Sequence, residues 1–184
     1  MWDNKHKWIF LHPKKCAGSS IEIVLREKFR NSICEPDNSQ HWSIKHIITH
    51  LDKPLNDYFI FTCARNPWDR MVSLYYHMVT HDNYTKNFKE FIRERGHYHF
   101  RYEQMPLKFY FDNCDINFVV KHESFDTDFK QLMSLLNIQD YAIPHFAHNT
   151  NRPSKDYRSY YDKDDIDFIA YQFSWDIEHF NYRF

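Results

Sequence analysis

The sequence predicts a single α/β domain spanning residues 1–184, with a short central parallel sheet flanked by helices. Three observations carry this expectation. Trp8-Ile9-Phe10-Leu11 and Tyr58-Phe59-Ile60-Phe61 are continuous apolar runs of strand length, the pattern of strands buried on both faces. Each run passes through a polar turn into an amphipathic helix. A third apolar run, Ile116 to Lys121, leads into another helical pattern, and strands alternating with helices imply parallel pairing with right-handed crossovers.

Taken in order, Trp8 to Leu11 is the first strand. The helix after it runs through Ile21, Val24, Leu25 and Phe29, whose spacing gives one apolar face, with Ser19 and Ser20 as capping hydroxyls. His41 to Leu51 is partly helical. Asp57 to Ala64 is the second strand, and Asn66 caps the next helix with Pro67 at its first position, where a missing N–H costs nothing. That helix runs to about Val79. Helical patterns follow at Phe88 to Arg95, around Tyr102 to Phe111, at Phe125 to Leu136 and at Asp164 to Phe173, the last with Ile166, Ile169, Ala170 and Phe173 inward. No repeat, low-complexity tract or linker interrupts them.

Composition narrows the function classes. A formal net charge of −1 removes the strong basic field expected of a duplex nucleic-acid binder, so any anion must be gripped locally. No apolar run approaches the roughly 20 residues that cross a bilayer, and Met1 stands too close to the first strand for a signal peptide. The four cysteines, Cys16, Cys34, Cys63 and Cys114, form no CxxC pair, which speaks against a zinc knuckle or a disulfide framework and for a reducing cytoplasm. The expectation is a soluble cytoplasmic chain.

The chemistry lies in the two turns after the first two strands. In Lys14-Lys15-Cys16-Ala17-Gly18-Ser19-Ser20 the small residues let backbone N–H groups approach an anion, Ser19 and Ser20 add donors, and Lys15 places a mobile charge beside it. This is P-loop-like logic without the Walker pattern, because there is one glycine and the lysine precedes it. Alone, the segment is equally an ordinary strand-to-helix turn with a solvated lysine. The second turn, Arg65-Asn66-Pro67-Trp68-Asp69-Arg70-Met71-Val72-Ser73, changes the balance: an arginine fork at a strand end and a hydroxyl two helical turns later suit a phosphate monoester with several acceptor oxygens.

The two segments together resemble the cofactor signatures of sulfotransferases that use 3′-phosphoadenosine 5′-phosphosulfate (PAPS), in particular the membrane-type carbohydrate sulfotransferases of sulfotransferase family 2. Residues 15–20 look like the 5′-phosphosulfate loop PK(T/C)(A/G)GTS, and residues 65–73 like the 3′-phosphate element RNPxxRxxS. His41-Trp42-Ser43, the strand Phe118 to Glu123 and the C-terminal tail are similar to further family segments, so nearly the whole chain is covered. Lys14 stands where the family usually has proline, which makes it a competitor to Lys15. The family's Golgi stem and anchor are absent, which fits a cytosolic, viral or bacterial enzyme.

The resemblance implies PAPS as cofactor, adenosine 3′,5′-bisphosphate as product, no required metal, and a hydroxyl acceptor, most simply a glycan. It implies phosphate contacts from Lys14, Lys15, Cys16, Ala17, Gly18, Ser19, Ser20, Arg65 and Ser73, with Lys15 stabilising the leaving group. His41 is the first candidate for the base, since an imidazole titrates near neutrality. Glu22 is the second, and His46 and His12 follow. A P-loop-like kinase or hydrolase, or a nucleotide- or glycan-binding module without turnover, are the alternatives.

Other features read more plainly. His77 and His81 are four residues apart but lack a third ligand, which makes them a solvated helix face. Cys16 packs as a small residue rather than serving as a reactive thiol. Arg93, Arg95, His97, His99 and Arg101 form a basic, aromatic-interleaved run that suits either an anionic glycan or solvent.

Overall fold

A computed structural model of the chain describes residues 1–34, 36, 41–94, 105–111, 114–143 and 152–184. In chain order its elements are β1 (Trp2–Asp3), β2 (Trp8–Leu11), α1 (Gly18–Lys28), β3 (Ile33–Cys34), α2 (Ile44–Ile47), β4 (Phe59–Ala64), α3 (Pro67–His81), α4 (Phe88–Glu94), α5 (Lys108–Phe111), β5 (Phe118–Lys121), α6 (Phe125–Leu135), α7 (Lys163–Gln172) and α8 (Ser174–Phe180). Short 3-10 turns stand at Ile48–His50, Leu55–Asp57, His122–Ser124 and Tyr157–Tyr160. Two compact units emerge, residues 1–64 with 107–146 and residues 65–106 with 147–184.

The first unit holds a five-stranded sheet in the order β3-β1-β2-β4-β5. β2, β4 and β5 are parallel neighbours, with Phe10 opposite Phe61 and Phe61 opposite Phe118. All four residues of β2 are buried, as their uninterrupted apolar run requires of a central strand. Thr62, the polar residue within β4, gives its hydroxyl to the Leu11 carbonyl at 2.9 Å, so its burial leaves no unpaired group. Ile21 and Leu25 of α1 and Phe129, Leu132 and Met133 of α6 complete the core.

The expected parallel sheet is in fact mixed, because β1 pairs antiparallel with both β2 and β3. These two-residue strands are too short to show periodicity. What seats them is Asp3, which accepts the backbone N–H groups of Lys5 and His6 on one oxygen and the Ser32 hydroxyl and His6 Nδ1–H on the other. Burial alone would raise its carboxyl, but the bonds from Ser32 and His6 outweigh that and hold it below the usual carboxylate range. A cavity of about 480 Å³ opens between Trp8, Phe29, Phe59 and Ile138, where β2 and β4 begin.

The second unit is helical. Trp68, Met71, Val72 and Met78 of α3 pack with Phe88, Phe91 and Ile92 of α4 and with Ile169 and Phe173 around α7. Asn66 caps α3 as expected, its Oδ1 accepting the Trp68 N–H at 3.1 Å. Its amide also donates to the Arg183 carbonyl at 2.8 Å, so the same residue fastens the C-terminal tail. The expected last helix is present as α7 and ends at Phe173 (φ −111°, ψ 25°), and α8, which the sequence did not predict, begins there.

Two expectations fall partly on residues that are not described. Residues 102–104 lie outside the described residues, and of the described part of the 102–111 pattern Lys108–Phe111 is helical. The basic run keeps only Arg93 in view, since 95, 97, 99 and 101 lie outside the described residues; Arg93 donates to Asp165 at 2.7 Å and lies over the Phe168 ring.

Candidate active site

The loop between β2 and α1 is shaped by its backbone. Lys15 and Ala17 both take left-handed conformations, φ 65° and 66°, which non-glycine residues adopt only under tertiary constraint. Cys16 between them is completely buried, its thiol donating to the Lys14 carbonyl at 3.6 Å, as its packing role anticipated. Lys14 and Lys15 are half-buried.

The expected capping by Ser19 and Ser20 is corrected. α1 starts at Gly18, and Ala17 occupies the cap with no side-chain cap hydrogen bond; Ser19 is exposed and Ser20 is buried with its N–H on the Ala17 carbonyl at 3.3 Å. No acidic residue stands in that turn. A helix start without a capping oxygen or a local carboxylate keeps the positive end of the dipole available to an anion.

Gly18 is required by space. A Cβ built there would lie 2.1 Å from His12 Cδ2, 2.4 Å from His12 Nε2 and 3.0 Å from Cys63 Sγ. The helix start therefore rests directly on the His12 ring, and β4 backs it.

His41 comes to this same place. Trp42 stacks on Trp2 at 6.2 Å, and Ile44 and Ile47 bury α2, so the residue before them is anchored against the sheet. His41 Nδ1 is 2.7 Å from the His12 carbonyl oxygen. An oxygen can only accept, so Nδ1 carries the proton and Nε2 carries the lone pair of the neutral ring. Burial first, and then charge on His12 and Lys14, lower its pKa to about 4; the His12 carbonyl and Glu22 act in the opposite sense. His41 is therefore a neutral imidazole at pH 7.

The other candidates for the base are placed differently. Glu22 is 7% exposed, accepts Arg26 Nε at 2.8 Å on Oε1, and has Oε2 3.3 Å from His12 Nδ1. That last pair is within ion-pair distance but lacks hydrogen-bond alignment, and His12 Nδ1 is a buried atom without a hydrogen-bond partner. His46 is exposed, with Nδ1 2.9 Å from the Ser43 hydroxyl.

In the second unit, Arg65 gives Nε and Nη2 to Asp69 at 2.8 and 2.7 Å. Arg152 donates to the other Asp69 oxygen at 2.8 Å and is itself fixed by the Ser154 and Lys155 carbonyls. Burial alone would raise the Asp69 carboxyl, but the two arginines outweigh it and hold the group below the ordinary range. Asp69 and Ser73 are four residues apart, so both stand on one face of α3. Arg70 is a buried structural residue, donating to the Met105 carbonyl at 3.0 Å.

Sequence reasoning missed Asp69 as the partner of Arg65 and Arg152 as the second partner of Asp69. The spacing of Arg65 and Asp69 was visible; nothing local marked Arg152, which lies 83 residues from the carboxylate it meets. Among the described residues no group of three or more His, Cys, Asp or Glu side chains could hold a metal, and no helix is long and apolar enough to cross a membrane. His77 and His81 stack with ring centroids 4.4 Å apart, and His81 donates to the His77 carbonyl.

Parallel neighbouring strands that lead into glycine-packed helix starts are the architecture in which nucleotide anions bind beyond the carboxyl ends of the strands. A model of the sulfotransferase family matches residues 1–183, and the chain belongs to that family, whose activity is sulfuryl transfer. Searches of curated proteins and of solved structures gave no match.

Proposed function

We propose that the chain transfers the sulfuryl group of PAPS to a hydroxyl group of a carbohydrate. The observation that carries this reading is the neutral His41 held at the uncapped, lysine-bearing start of α1. The residues fit the donor: a helix start whose N-cap Ala17 supplies no side-chain oxygen, two lysines before it, and an arginine fork fixed by Asp69 on the α3 face of Ser73. The carbohydrate acceptor rests on the resemblance of both motifs to carbohydrate sulfotransferases.

PAPS, when bound, supplies an activated sulfuryl group whose bridging bond to the 5′-phosphate breaks as the acceptor oxygen bonds to sulfur. His41 Nε2 takes the acceptor proton. Lys15 neutralises charge developing on the departing phosphate oxygen, with Lys14 as its neighbour, and the first-turn N–H groups of α1 hold the same phosphate. Arg65 and Ser73 grip the 3′-phosphate. Burial first, and then positive charge, depress the basicity of His41 in the free protein, and a bound nucleotide's negative charge opposes the second.

Calorimetry with adenosine 3′,5′-bisphosphate against 5′-AMP, ADP and ATP tests the donor. At least tenfold tighter binding of the bisphosphate than of 5′-AMP is expected, about 1.4 kcal/mol; equal affinities overturn the reading. Transfer to a glycan panel with and without EDTA separates it from the kinase-like alternative, which requires magnesium. In the pH profile, kcat/KM falls as pH drops through about 4, where free His41 becomes protonated, and the acidic limb of kcat lies higher.

A further inference from the structure

We propose that His12 and Glu22 are positioning residues that act through His41: the His12 carbonyl holds its imidazole as the Nδ1–H tautomer, the His12 ring sets its tilt, and Glu22 orients His12. The proposal rests on the reading of His41 as the base.

His12 meets His41 twice. Its carbonyl accepts the Nδ1–H at 2.7 Å, and its ring stands edge-on to the His41 ring, centroids 4.8 Å apart at 69°. The carbonyl selects the tautomer and the ring fixes the tilt. Any displacement of His12 therefore moves both constraints on His41 together.

His12 is in turn enclosed. Its ring stacks on Phe10 at 5.2 Å and 18°, Gly18 presses on its Cδ2–Nε2 edge, and Glu22 Oε2 lies 3.3 Å from Nδ1. Gly18, Glu22 and Arg26 follow one another at four-residue steps, so a single stripe of α1 carries the contact surface, the carboxylate and the arginine that steadies it. A carboxylate held by Arg26 and facing a buried ring nitrogen is placed to orient that ring. To serve as a base itself, Glu22 would have to leave both neighbours.

Among the described residues, the groups whose charge acts on His41 come from three places: His12 after β2, Lys14 in the loop and Glu22 in α1. His12 and Lys14 oppose protonation of His41, and Glu22 favours it. The two positioning residues therefore act with opposite signs, which a merely structural role would not produce.

The test is a long-range ¹H–¹⁵N NMR titration of the imidazoles in the full chain, with His41 assigned by the signals lost in His41→Gln. Wild type should show the Nδ1–H tautomer at pH 7. His12→Phe keeps the backbone carbonyl and should raise the proton affinity of His41; Glu22→Gln should lower it, each by roughly threefold or more. If His12→Phe does not fold, Glu22→Gln decides alone, a decrease supporting the proposal. An unmoved His41, or shifts of the same sign in both variants, overturns it. The acidic limb of kcat/KM, measured in parallel, separates the two readings: if the NMR shifts appear but the limb stays in place, positioning stands and the assignment of His41 as base fails.

Discussion

The loop of the first unit and the arginine cluster of the second suit negatively charged groups by opposite means. In the loop the geometry is made by backbone: two left-handed residues, an uncapped helix start and a glycine pressed on a buried ring. In the cluster it is made by side chains, with one carboxylate gripping two guanidinium groups at 2.7 to 2.8 Å. The difference teaches where each site is fragile. A backbone cradle fails when volume is added, whereas an ionic clamp fails when charge is removed. A neutral imidazole, His41, is bonded beside the loop, so the proposed function assigns rate to the first region and discrimination among nucleotides to the second.

The largest expected effect separates those two tasks. His41→Ala should lower sulfuryl transfer by roughly 10²–10⁴-fold while leaving nucleotide affinity nearly intact, as read by steady-state kinetics and calorimetry. A comparable loss of affinity would merge chemistry and binding into one site and break the contrast. Lys15→Ala should weaken both together if, as proposed, its charge meets the donor in ground and transition states.

Gly18→Ala should follow. Its methyl group has to displace the buried His12 ring, a cost of about 1–3 kcal/mol typical of overpacking, and a shift near 1 Å at His41 lowers transfer by about 10²-fold. Urea unfolding and kinetics on the same sample measure both. A fully active, equally stable variant would mean that the cradle yields easily.

Arg65→Ala probes the other region by removing charge. It should abolish most of the preference for adenosine 3′,5′-bisphosphate over 5′-AMP, about 1.4 kcal/mol or more, with a smaller effect on 5′-AMP itself. Equal weakening of both ligands would place the arginine elsewhere in the binding scheme.

The smallest effect is on acid stability. Asp69 ionises more readily in the folded protein than in the unfolded chain, so its contribution is present above the ordinary carboxylate range and is lost as pH falls through the lowered folded value. Unfolding free energies measured from pH 7 to pH 3 should therefore fall more steeply for wild type than for Asp69→Asn. Parallel curves would show that the arginines bind Asp69 without discriminating its protonation state.

Much of the architecture was legible because it is local. The apolar runs of β2 and β4, the Asn66-Pro67 start of α3 and the amphipathic spacing of α1 and α6 report burial and capping, which depend on neighbours in the chain. The two-residue strands β1 and β3 were not legible, since only the buried Asp3 and its bonds to Ser32 and His6 make them strands. Lys15, Gly18, His41 and Arg65 stood out by residue type and spacing. The reason for Gly18 did not: sequence suggested an approach to an anion, and the structure shows contact with His12.

By itself, then, the sequence determined the α/β class, the two strand-to-helix turns and the residue types an anion needs, because periodicity and motif spacing are properties of the chain. Only the tertiary structure decided which nitrogen of His41 bears its proton, that Glu22 faces His12 and Arg26, and that Asp69 joins Arg65 to Arg152. Those are matters of direction and of contacts across long stretches of sequence. Tautomer, ion pairing and proton affinity depend on distances of about 3 Å between groups that the chain order leaves far apart.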